Sequence, residues 1–267
     1  MVLSIILSLL VFIRLENDIL YRYSFCVNYY APLNVLKPVG KDIWIVDGPE
    51  IKFFGMPFTT RMTVIRLKNG DIFIHSPIKP ELELVEALKA LGPIKHLVSP
   101  NWIHYAFIAE WANACPSAIK WASPNVKERA NKKSMHISFD HDLETYAPDD
   151  WKSEIHQMIV EGSSIHREVV FFHLSSKTLI LTDLIENFEA EALPWPLRIL
   201  VRMIGIVDPD GKMPLDMWLT FRKRRNELRG FVERMIAWEP KYIVLAHGRC
   251  YDHDCTHELR RAFRKTF

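Results

Sequence analysis

Apolar runs four to six residues long, each ending on a polar side chain, recur along this chain. Thr178-Leu-Ile-Leu-Thr-Asp183 is one; it is entered from Val169-Val-Phe-Phe-His173 through the turn Ser175-Ser-Lys177, and it leaves Asp183 at a strand end. Asp71-Ile-Phe-Ile-His75, His96-Leu-Val-Ser-Pro100-Asn101 and Tyr242-Ile-Val-Leu-Ala-His247 stop in the same manner. Runs this short, apolar at consecutive positions, predict strands covered on both faces. If they share one layered sheet system, their polar ends gather along a rim, where α/β proteins place their chemistry.

The rest of the pattern fits that reading. Lys41–Asp47 and Thr60–Arg66 predict strands, and Lys68-Asn-Gly-Asp71 between the second of these and the next is an Asn-Gly hairpin signal, so the opening is antiparallel. From Pro80 the period changes. Leu82, Leu84, Val85, Leu88 and Leu91 mark a helix stopped by Gly92-Pro93, and a strand to Ser99 follows. A helix from about His104 to Ala114, a strand Ala118–Ala122 and a short helix opened by Ser123-Pro124 continue the alternation of a partly parallel sheet. Lys132 to Trp151 reads as a charged loop and Glu154–Glu161 as a half-buried strand. The crossover Leu193-Pro-Trp-Pro196 leads to a helix from Leu197 to Ile206, broken at Pro209-Asp-Gly211, and a long helix from Met217 to Trp238 follows, carrying Arg222-Lys-Arg-Arg225. A basic helix closes the chain. No fixed repeat or linker interrupts residues 30–267, which predicts one domain preceded by an extension, residues 1–29.

Composition narrows the function classes. The net charge of +2 argues against a nucleic-acid surface, and the basic stretch from Arg222 to Arg234 reads as a solvated helix face paired with Glu227 and Glu233. Four scattered cysteines make no disulfide framework and point to a reducing, cytoplasmic setting. Met1–Ile13 is almost wholly apolar, too short to span a bilayer and without the marks of a secretory signal; a membrane-attaching segment and a docked or free extension both fit it.

No Gly-x-Ser-x-Gly elbow, phosphate loop or dinucleotide fingerprint occurs, and the spacing in Cys250-Tyr-Asp-His253-Asp-Cys255-Thr-His257 matches no standard zinc ribbon or finger. What remains is histidine and aspartate. A catalytic metal needs about three such ligands with one position open. His104, Asp183 and His247 lie at or just after three strand ends, with His75 and His173 able to join or orient them.

At these residues the chain resembles the metallo-β-lactamase superfamily: the order of elements, the strand ending Thr182-Asp183 and the late strand ending Ala246-His247-Gly248 carry the likeness. Leu33-Asn-Val-Leu-Lys-Pro38, Asp42-Ile-Trp-Ile-Val-Asp-Gly48, His75-Ser-Pro77, Pro100-Asn101, Val169–His173 and Asp183-Leu-Ile-Glu-Asn187 are similar to an uncharacterised branch of it. The resemblance, over about Tyr30 to Gly248, implies an αββα sandwich of two mixed sheets flanked by helices, a small-molecule substrate, and one or two metal ions at the sheet edge. The chain departs from the superfamily's His-x-His-x-Asp-His signature. With Ser99 at the preceding position it reads Pro100-Asn-Trp-Ile-His104-Tyr105, and the mid-chain histidine place falls near Ser164, with His166 two residues away. Only Asp183 and His247 carry over directly, so a two-metal site is not expected. The expectation is a single zinc or iron ion on His104, Asp183 and His247, with His75 in the place of a strand-end Asp as an assisting or alternative ligand. Asn101, Tyr105 and His173 would face the substrate, in a hydrolase acting on an ester, thioester, amide or phosphoester. The competing expectation is a scaffold that has lost its metal and serves as a binding module.

Overall fold

The computed structural model describes residues 30–53, 56–133, 135, 137–193 and 195–267. The apolar segment Met1–Ile13 lies outside them. Two sheets form the centre. The first has seven strands in sequential order, β1 (Lys37–Gly40), β2 (Ile43–Phe53), β3 (Met56–Arg66), β4 (Ile72–His75), β5 (Ile94–Ser99), β6 (Ile119–Ala122) and β7 (His141–Asp142). Its pairs are antiparallel from β1 to β4 and parallel from β4 to β7. The change in direction follows from the connections. Asn69-Gly70 closes a tight turn into β4, with Gly70 at φ +91° and the Asn69 carbonyl side chain accepting from the Asp71 amide at 3.0 Å. The parallel pair β4–β5 is joined through the helix α1 (Leu82–Leu91) and β5–β6 through α2 (Ile108–Ala114). The second sheet has the order β11-β10-β9-β8, from β8 (Ile155–Val160), β9 (Glu168–His173), β10 (Thr178–Leu181) and β11 (Tyr242–Leu245); β10 and β11 are parallel and the other pairs antiparallel.

Side-chain alternation assigns each strand residue to one of three apolar layers. Phe73 of β4, Phe171 of β9 and Ile180 of β10 meet between the sheets, with Val98, Trp121 and Trp151. Their neighbours point outward. Ile72 and Ile74 pack under α1, α2 and α3 (Val126–Lys132), where Leu84, Leu88, Trp111 and Val126 are buried. Val170, Phe172, Leu179 and Leu181 pack under α5 (Leu215–Phe221), α6 (Arg225–Ala237) and α7 (Cys255–Ala262). This is the αββα sandwich the resemblance implies. Truncating a ring such as Phe171, wholly buried between the sheets, costs about 3–5 kcal/mol.

The helix expected over Met217–Trp238 is divided by a 3-10 turn at Arg222–Arg224. Phe221 and Leu228 are the buried anchors on either side, and the four basic residues between them offer nothing apolar to hold that turn on the sheet. His141 and Asp142, expected within a loop, form the edge strand β7. Among the described residues no helix is long and apolar enough to cross a membrane.

Candidate metal centre

Three loops leave the sheets at the same edge. The turn after β5 carries Asn101 and His104, the turn after β10 carries Asp183, and the turn after β11 carries His247. His104 Nε2 lies 3.3 Å and His247 Nε2 3.4 Å from the same carboxylate oxygen, Asp183 Oδ1, and the two rings are 5.4 Å apart. All three are at least nine-tenths buried or close to it, with side-chain exposures of 11%, 10% and 9%.

The outer nitrogens decide what the inner ones can do. His247 Nδ1 is 3.0 Å from the Thr59 carbonyl, which only accepts, so Nδ1 carries the proton and a neutral ring presents a bare Nε2. His104 Nδ1 is 2.6 Å from Ser76 Oγ, whose own hydrogen is directed at the Arg61 carbonyl at 3.3 Å; the ring nitrogen is again the donor and Nε2 again bare. With either ring protonated, its Nε2–H would point at Asp183; with both rings neutral, two lone pairs and a carboxylate oxygen converge with no proton among them. That donor set fits a divalent cation. Burial alone would raise the Asp183 carboxyl, but His104 and His247 hold it well below the usual carboxylate range, so it is ionised. Glu186, on the same loop, is pushed up to about 8 by burial, with His247 opposing and Asp183 adding to the shift; it stays protonated at neutral pH and leaves Asp183 the carboxylate charge of the cluster.

The other oxygen of Asp183 is occupied. Asn101 Nδ2 donates to Oδ2 at 2.5 Å and to Thr182 Oγ1 at 2.9 Å, while Asn101 Oδ1 accepts the amides of Ile103 and His104 at 2.8 and 3.1 Å. One side chain therefore orients Asp183 and forms the turn that presents His104.

A second group, His166, Glu168 and Asp183, lies next to the first. Glu168 is wholly buried at the start of β9 and accepts the amides of Thr182, Asp183 and Leu184 at 2.7, 2.9 and 3.2 Å. Trp102 Nε1 donates to His166 Nδ1 at 3.1 Å, and His166 Nε2 faces Glu168 at 3.4 Å. These groups are spent on one another and hold the Asp183 turn in place.

A further buried network supports the His247 loop. Arg61 NH1 donates to the carbonyls of Leu245 and Gly248, both at 2.7 Å, and Arg61 Nε to Asp47 Oδ1 at 2.7 Å; Lys37 takes Asp47 Oδ2. Gly248 sits at φ +84°, and a Cβ there would run into the Asn187 carbonyl. Asn187 in turn binds the Arg249 carbonyl at 2.9 Å and the Gly211 amide at 3.0 Å, lacing the Asp183 loop to the His247 loop. The rings of Phe58 and Phe188 flank His247 at 5.5 and 6.3 Å.

Among the residues singled out from sequence, His104, Asp183, His247 and Asn101 come together here. Asn101, expected to face the substrate, instead turns its amide onto Asp183. The other three lie elsewhere. His75 points between the sheets, 2% exposed and edge-on to Phe171 at 5.3 Å; burial, aided by His104, pushes it down to about 3, so it is a neutral core ring behind the cluster. Tyr105 is buried in the apolar layer beneath the helices and not toward a substrate. His173 is at the opposite end of the second sheet, because β9 runs antiparallel to β10 and places His173 beside Thr178, not Asp183; Ser176 and Ser175 satisfy its two nitrogens at 2.8 and 3.3 Å. Sequence reasoning missed Ser76, Thr59, Arg61, Glu168 and Asn187. Arg61 inside an apolar strand and Glu168 at the head of Val169–Phe172 had a signal of their own, and Ser76 and Asn187 stand within segments that carry the resemblance.

The fold and this cluster define the chain's class, a metallo-β-lactamase-like fold. The chain is similar to the DIM-1 metallo-β-lactamase in a crystal exposed to ceftazidime, with TM-score 0.61 and 15% identity over 87% of this chain and 97% of that one. It is also similar to the FIM-1 metallo-β-lactamase from Pseudomonas aeruginosa in its mono-zinc form, with TM-score 0.60 and 10% identity over 86% and 95%. Rubredoxin oxygen:oxidoreductase from Desulfovibrio gigas matches with TM-score 0.60 and 11% identity over 87% of this chain and 61% of that one. Residues 41–195, more than half of the chain, match the model of the family described as Domain of unknown function (DUF4336), and the chain belongs to that family. No curated protein matches its sequence.

Proposed function

We propose that this protein is a single-metal hydrolase acting on a small-molecule ester, thioester, amide or phosphoester. The observation that carries the reading is the convergence of His104 Nε2, His247 Nε2 and Asp183 Oδ1 with both histidine protons tied off on the far side. These three atoms would hold one zinc or iron ion, which would supply Lewis acidity toward a water and toward a substrate carbonyl or phosphoryl oxygen. The mono-zinc FIM-1 relative makes zinc the first ion to test. One ion fits better than two, since Asn101 covers Asp183 Oδ2 and the Glu168 carboxylate is filled by backbone amides.

The chain's own groups have separable tasks. Ser76 and the Thr59 carbonyl fix the tautomers and ring planes of the two histidines. Asn101 and Glu168 set the angle of Asp183, and Arg61 keeps the His247 loop against β3. Phe58 and Phe188 give the approach to His247 an apolar wall suited to the non-reacting part of a substrate.

The competing reading is a metal-free binding module, in which protonated His104 and His247 pair with Asp183; contacts of 3.3 and 3.4 Å suit those ion pairs as well. Elemental analysis of protein purified without a histidine tag, wild type beside His247→Ala, separates the two. About one zinc or iron per chain, lost in the variant, supports the hydrolase and leads to ester, thioester and phosphodiester assays. No metal after reconstitution with zinc, iron or manganese sinks it.

A further inference from the structure

The helix α4 (Trp195–Ile204) is apolar on two faces. Its inner face, with Leu197, Val201 and Ile204, packs on Phe188 and Phe58. Its outer face presents Trp195, Ile199 and Met203 at a spacing of four, and these are 70%, 51% and 80% exposed. Leu219 on α5 is exposed as well. A cleft of about 170 Å³ joins the two helices and the end of the chain, lined by Met203, Trp218, Lys212, Arg264 and Lys265 among others. Three large apolar side chains exposed along one face of a helix, beside such a cleft, mark an interaction site.

Its rim is cationic. Arg202, 61% exposed beside Ile199 and Met203, is paired with Glu191 at 3.6 Å. Arg264 and Lys265 are exposed, and burial together with those two cations lowers Lys212. Arg222 and Lys223, one turn beyond Leu219, are exposed and form no ion pair among the described residues, whereas Arg224 and Arg229 nearby are paired with Glu227 and Glu233. Trp, Ile and Met projecting from a short amphipathic helix, with exposed Lys and Arg nearby of which Arg222, Lys223, Arg264 and Lys265 form no ion pair among the described residues, is the pattern of a helix lying in the interfacial plane of an anionic bilayer.

We propose that the outer face of α4, with Leu219 and the rim formed by Arg202, Lys212, Arg222, Lys223, Arg264 and Lys265, docks this protein on an anionic lipid surface. The inference is independent of the metal reading. Docking sets α4 as the wall between the bilayer and the Phe188 ring beside His247.

Full-length protein tests this by co-sedimentation with phosphatidylcholine vesicles made with and without phosphatidylserine. Binding is expected to the phosphatidylserine vesicles, weaker in high salt. It should fall about tenfold or more in Ile199→Glu/Met203→Glu, whose side chains are 51% and 80% exposed, and comparably in Arg222→Glu/Lys223→Glu, which leaves α4 intact. Met1–Ile13 is present in every sample, so the difference reports the patch. Three outcomes overturn the proposal: variants that bind like wild type, equal binding to pure phosphatidylcholine, or no vesicle binding together with a dimer that Ile199→Glu/Met203→Glu dissociates, which would assign the face to a second copy of the chain.

Discussion

Two clusters share Asp183, and they differ in what their polar atoms have left to offer. In His166, Glu168 and Trp102 each donor meets an acceptor within the protein: three amides and a ring fill the Glu168 carboxylate, and an indole fills His166 Nδ1. In His104, His247 and Asp183 the outward nitrogens are satisfied and, with both rings neutral, the inward atoms are three acceptors facing one another. Titratable residue types at bonding distance are therefore a poor criterion for a site. The criterion is unspent coordination, and it is read from the partners on the far side.

That contrast can be broken most sharply at the shared residue. Asp183→Asn should leave a folded protein without bound metal and with activity reduced about a thousandfold, since the several kcal/mol of charge stabilisation that a held ion supplies go with it. Elemental analysis alongside the rate of the best substrate in the panel checks both. Glu168→Gln should do the reverse: it turns an amide NH₂ toward backbone donors and costs about 2–3 kcal/mol in chemical denaturation, while the metal-to-protein ratio of the folded fraction stays at one. Loss of metal with unchanged stability would move Glu168 into the ligand set.

A subtler change probes the second partner of a ligand. Ser76→Ala removes the group that holds the His104 Nδ1 proton, and metal affinity should weaken about 10- to 100-fold in competition with a chelator, with the unfolding midpoint of the metal-free protein nearly unmoved. The smallest effect concerns histidines that only support the fold. His96 and His173 are each lowered from 6.5 to about 4, chiefly by burial, so the unfolded chain binds more protons than the folded one between those values. Stability on their account is complete above pH 6.5 and drains away as pH falls toward 4. His96→Gln, which keeps an acceptor for Trp121 Nε1, should flatten that acid limb by about 2 kcal/mol at pH 5 in urea titrations.

The far rim shows why not every histidine at a strand end could be sorted in advance. His173 and His247 look alike along the chain, each closing an apolar run. Antiparallel pairing sends His173 away from Asp183 and parallel pairing brings His247 to it. The short turn through Ser175–Lys177 already sends His173 to the other end, whereas the direction of β11 depends on a connection of sixty residues after β10, which no local pattern encodes.

Residue order alone determined the strands with both faces buried, the Asn-Gly hairpin, the helix between β4 and β5 and three of the acceptors now at the edge, because these follow from local period, turn chemistry and residue type. Only the tertiary structure decided that His75 faces the core, that Asn101 spends its amide on Asp183, and that Ser76, Thr59, Arg61 and Glu168 hold the cluster. Those roles rest on contacts between residues as many as 188 positions apart, between Thr59 and His247, and on which atom of each side chain is left without a partner once all the contacts are made.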